Sequence, residues 1–155
     1  MLQKVSQKKL AARGCGFAVV ASKYNARYVD AMLRAATAEI LRAGGTVKIV
    51  RVPGAYEIPV VAATLARTKK YSAILCLGVI LRGATTHAQH IGEAVSNALA
   101  QIQVAHEIPI IHEVLLLENE AQARERCLGK KHNRGTEAAQ TAIAMARVMA
   151  EITAE

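Results

Sequence analysis

The chain has 155 residues, 52% hydrophobic but only 3% aromatic, which suits one domain over 1–155 with an aliphatic core of Ala, Val, Ile and Leu. Its formal charge of +8 attracts either nucleic acid or small anions. Few aromatics are available for base stacking, so the expected partner is a phosphorylated metabolite and not nucleic acid.

Residues 1–13 carry Lys4, Lys8, Lys9 and Arg13 with little periodicity and read as an N-terminal arm. Phe17–Ala21 is a short apolar strand, broken by Ser22-Lys23-Tyr24-Asn25. Helical spacing of Val29, Met32, Leu33, Ala36 and Ile40 follows over 28–42, and Gly44-Gly45 stops it. Val47–Val52 is a second strand, ended by Pro53-Gly54. Residues 58–67 form an Ala-rich helix, and the run from Ala73 to Leu81 is a third strand. The long helix over 87–106 has Ile91, Val95, Leu99 and Ile102 on one stripe. A fourth strand lies within 109–117. Two more helices, 120–127 and 136–152, flank the basic loop Lys130-Lys131-His132-Asn133-Arg134. Apolar strands alternating with helices predict a parallel four-stranded sheet covered on both faces, an α/β three-layer, doubly wound, flavodoxin-like sandwich.

No apolar run approaches the ~18 residues of a membrane span, and no basic-then-apolar leader opens the chain. The expected location is the cytoplasm, with no membrane partner. Cysteines 15, 76 and 127 form no CxxC pair, which argues against a disulfide frame or zinc site and fits a reducing compartment. There is no GxGxxG and no Walker loop, and acidic clusters suited to a metal are absent. Neither cofactor nor metal is expected.

In a parallel sheet the loops after the strands share one edge, where ligands bind. There, Gly83-Ala84-Thr85 precedes His87 at a helix start. Free amides beside an ionisable ring offer an anion cradle with a proton carrier. Glu57, just beyond the second strand, suits either a helix start or a polyol. Tyr24 either stacks on a flat heterocycle or covers the core edge. Arg126 and Arg134 are able to clamp an anion, but on the residues alone they read as solvated helix faces.

Taken together these loops resemble the lumazine synthase family. The matching segments are 20–25 (VASKYN), 52–59 (VPGAYEIP), 78–87 (GVILRGATTH) and 133–139 (NRGTEAA), in register from about residue 14 to 150. The resemblance implies a transferase of riboflavin biosynthesis that needs no cofactor. It joins 5-amino-6-(D-ribitylamino)uracil to 3,4-dihydroxy-2-butanone 4-phosphate, releasing phosphate and two waters. It implies that Tyr24 stacks on the pyrimidine and that Ala55, Tyr56 and Glu57 hold the ribityl chain. The backbone of Val79, Ile80 and Leu81 would bond the pyrimidine edge, and Ala84, Thr85 and Arg126 the phosphate. His87 would move protons, and Glu137 would steady Arg134, which stands where the family has Lys. His112-Glu113 replaces the family's Phe-Gly, so His112 is the expected wall against the heterocycle, offered to a neighbouring subunit. The implied assembly is a pentamer, alone or within a decamer or shell. An alternative reading is a non-catalytic flavin- or lumazine-binding assembly protein.

Overall fold

The computed structural model describes residues 11–155, so the expected arm over 1–13 lies outside the described residues but for its last three. The element order is β1 (Gly16–Ser22), α1 (Ala26–Arg42), β2 (Thr46–Val52), a 3₁₀ turn (Ala55–Glu57), α2 (Ile58–Arg67), β3 (Ala73–Leu81), α3 (His87–His106), β4 (Ile110–Leu117), α4 (Glu120–Cys127) and α5 (Arg134–Ala154). All strand pairs are parallel, in the order β2-β1-β3-β4. This is the expected α/β sandwich with a four-stranded parallel sheet.

The strands alternate sides. Phe17, Val19 and Ala21 of β1 join Leu75 and Leu77 of β3 under α1 and α5, while Ala18 and Val20 join Ile74 and Cys76 under α2 and α3. Burial on both faces is why β1 and β3 read as continuous apolar runs. α4 lies on the α1–α5 side, where Ala123 and Cys127 are buried.

Two of the boundaries that differ from the sequence reading are set by a polar cap. α5 starts at Arg134 rather than 136 because the Asn133 side chain accepts the Gly135 N–H at 2.8 Å. Residues 55–57 form a turn rather than a loop, closed by Glu57 Oε2 accepting the Gly54 N–H at 3.0 Å.

The first turn of α5 lies directly on α1. A Cβ at Gly135 would collide with the Met32 carbonyl, which is backbone and has no rotamer to escape into. Gly135→Ala is therefore expected to push α5 off α1 and cost about 1–3 kcal/mol, as overpacking does, read as a lowered denaturant midpoint. A midpoint equal to wild type would show that the helices separate freely there.

Candidate active site

From β1 the chain crosses to β2 on one side, and from β3 to β4 on the other. A parallel sheet opens its ligand crevice at such a reversal, outside the carboxyl ends of the strands. A cleft of about 780 Å³ lies there. Tyr24 and Asn25 after β1, Gly54 to Glu57 after β2, and Val79, Ile80 and Leu81 at the end of β3 form part of its lining. The wall is completed by His87, His90, Ile91 and Ala94, one stripe along α3.

The loops are pinned to each other. The Lys23 and Tyr24 amides donate to the Pro53 carbonyl at 3.0 and 3.1 Å. Asn25 takes the left-handed conformation (φ 56°), which Asn tolerates better than most residues. From there its Nδ2 donates to the Val79 carbonyl at 2.7 Å. A Cβ on Gly54 would sit 2.9 Å from both Glu57 Oε2 and the Tyr24 ring, so glycine lets carboxylate and ring close over this turn. Only Oε2 of Glu57 is engaged in that closure, which leaves Oε1 for a ligand. Tyr24 and Tyr56 are 69% and 65% exposed, unusual for aromatic rings unless something flat or apolar covers them.

Strand β3 outruns β1. Their pairing stops at Ala21 with Leu77, while β3 continues to Leu81. On the β1 side the backbone of Val79–Leu81 has no strand partner, and Asn25 takes part of its polar edge. Its remaining groups are free to read the edge of a planar ring.

Most of the residues singled out in the sequence thus meet in one cleft: Tyr24, Ala55, Tyr56, Glu57, Val79, Ile80, Leu81 and His87. Ala84 and Thr85 lie on the exposed β3–α3 loop beside it. Thr85 Oγ1 accepts the His87 backbone N–H at 3.4 Å. Asn25 and His90 also line the cleft and were not singled out. His90 stands three residues after His87, a spacing that puts both rings on neighbouring positions of one helix face.

The remaining residues lie elsewhere in the chain. His112 faces α3, where its Nδ1 accepts the Val114 N–H at 3.1 Å and its Nε2 bonds Ser96 Oγ at 2.7 Å. Ser96 is nine residues after His87, about half a turn around the helix at ~100° per residue, so His112 flanks the opposite side of α3 from the cleft. Both ring nitrogens are matched to the neutral imidazole, and burial lowers the His112 pKa below 6.5. A lowered folded pKa gives stability that is present above pH 6.5 and lost as pH falls through the folded value. On acidification from pH 7.5 to 5, wild type is expected to lose more Tm than His112→Asn; parallel losses would show that this ring does not contribute.

Arg126 is exposed on α4, on the other side of the sheet from the cleft. Arg134, read in sequence as a solvated helix face, is instead tied down. Its Nε and Nη2 donate to Glu113 at 3.0 and 3.1 Å, and its Nη1 to Glu137 at 3.0 Å. Glu113 is only 7% exposed. Burial pushes its pKa up, and Arg134 opposes that rise. Cys76 and Cys127 are buried, with thiols pushed up to about 12 and about 11, chiefly by burial, which removes them as nucleophiles. Among the described residues no three His, Cys, Asp or Glu side chains converge as a metal site, and no helix is long and apolar enough to cross a membrane.

Residues 14–150 match the model of the 6,7-dimethyl-8-ribityllumazine synthase family. The chain belongs to that family. It is 36% identical over 152 residues to a 6,7-dimethyl-8-ribityllumazine synthase of Clostridium kluyveri, covering 96% of this chain and 99% of that one. It is 39% identical over 143 residues to the enzyme of that name from Desulfotalea psychrophila, covering 90% and 92% of the two chains. The matched segment takes in every residue of the cleft.

Proposed function

We propose that this protein is a 6,7-dimethyl-8-ribityllumazine synthase, a transferase of riboflavin biosynthesis that works in the cytoplasm. Its substrates are 5-amino-6-(D-ribitylamino)uracil and 3,4-dihydroxy-2-butanone 4-phosphate. The observation that carries the reading is the convergence, at the reversal of the sheet, of open aromatic rings, a carboxylate, an unpaired strand edge and an imidazole.

Each group has a task in this chemistry. The pyrimidine stacks on Tyr24 with its edge against the backbone of Val79–Leu81. The ribityl hydroxyls run along Ala55, Tyr56 and Glu57, whose free Oε1 accepts from them. The phosphate sits by Ala84 and Thr85. The uracil's amine attacks the ketone to give an imine with loss of water. Phosphate then leaves, and ring closure releases the second water. Holding the two reactants together supplies much of the rate, and His87 moves protons between them.

His112 and Arg126 reach such a site only in a neighbouring subunit. Their positions away from their own chain's cleft support an assembly in which each cleft is completed by the next subunit, a pentamer or a multiple of it. Arg134 and Glu137 act as supports. Arg126→Ala is expected to raise KM for the butanone phosphate about tenfold, the worth of a charge-assisted hydrogen bond, and to leave KM for the uracil unchanged. Mixing the protein with both substrates should release phosphate and develop lumazine absorbance. Folded protein that binds both substrates without turnover would instead favour the non-catalytic assembly reading.

A further inference from the structure

We propose that His90 is a phosphate-contacting residue of this cleft, an inference that rests on the reaction assigned above. A phosphate ester brings up to two negative charges. Among the described residues that line the cleft there is no Lys or Arg, and its carboxylate, Glu57, repels an anion. Arg126 of a neighbouring subunit supplies one cation, as assigned above; within this chain's own lining the imidazoles of His87 and His90 are the remaining basic groups. Because Glu57 occupies the wall after β2, the anion belongs on the α3 wall.

Arg82, just after β3, is turned away from the cleft. Arg82 pairs with Glu118 at 3.3 Å and lines a second groove with Gln89, Gly92 and Ser96 on the opposite flank of α3. His90 is exposed, and its Nε2 lies 3.3 Å from Thr86 Oγ1. That contact draws the ring back toward the start of α3, beside the loop of Ala84 and Thr85, and leaves Nδ1 for a ligand. The two imidazoles then divide the work. His90 holds the phosphate, and His87 stays free to exchange protons as the phosphate departs.

The test is calorimetric titration of inorganic phosphate into the whole protein, which needs no turnover. His90→Gln keeps a polar side chain at an exposed position but removes the imidazole. It is expected to weaken phosphate binding about tenfold, and His90→Lys to restore it. In the assay His90→Gln should raise KM for the butanone phosphate and not for the uracil. Phosphate affinity equal in wild type and His90→Gln overturns the proposal. So does wild type that binds no phosphate, or a variant whose uracil KM alone rises. Failure of the underlying reaction would show separately, as wild type that binds phosphate but makes no lumazine.

Discussion

His87→Ala should lower kcat by roughly 10²–10⁴-fold, the usual worth of a positioned proton carrier, with little change in KM for either substrate. The reaction loses two waters and a phosphate, and each departure needs a proton delivered or removed in the transition state. Binding does not need that transfer, so the loss belongs in kcat. The cleft gives the ring its place: His87 opens α3 on the stripe that faces Tyr56, Glu57 and the end of β3. The ring is exposed, so removing it leaves no cavity in the core, and the variant should keep the wild-type Tm. Single-turnover kinetics with both substrates saturating checks this directly. A rise in KM with kcat intact would make His87 a binding group and move the proton chemistry elsewhere.

The framework was legible because its signals are local. β3 and α3 begin and end where the sequence places them, at Ala73–Leu81 and His87–His106, since continuous apolar runs and helical stripes are properties of neighbours in the chain. The cleft followed from the rule that loops after parallel strands share an edge. What stayed hidden depends on partners distant in sequence. Asn25 reads as a strand breaker until its bond to Val79, 54 residues away, is seen. Arg134 shows its i+3 partner Glu137 in the sequence, but Glu113, 21 residues away, is found only in the fold. Alternation along β4 puts His112 and Glu113 on opposite faces, yet it does not say that one face meets Ser96 and the other Arg134. His90 carried a signal that went unused, its spacing from His87.

Arg134→Ala is expected to cost about 3–5 kcal/mol of stability at neutral pH, the range found when one partner of a buried pair is removed. Glu113 is held in the layer between β4 and α5 and is 7% exposed, and the two bonds from Arg134 at 3.0 and 3.1 Å offset the loss of its hydration. Without the guanidinium its carboxylate faces a buried environment and the charge of Glu137, which already pushes its pKa up. The carboxyl must then take up a proton or draw in water. A folded pKa raised further above the unfolded 4.5 gives stability that is present below 4.5 and lost as pH rises through the folded value. The variant's deficit against wild type should therefore shrink as pH falls from 7.5 to 5. Glu113→Gln removes the charge and keeps the shape. Combined with Arg134→Ala it should recover much of the loss, a coupling that a double-mutant cycle isolates. Urea unfolding of the four proteins at both pH values decides the matter. Additive effects with no pH dependence would mean that Glu113 reaches water once Arg134 is gone, and that the pair only trims the surface of the α5 junction.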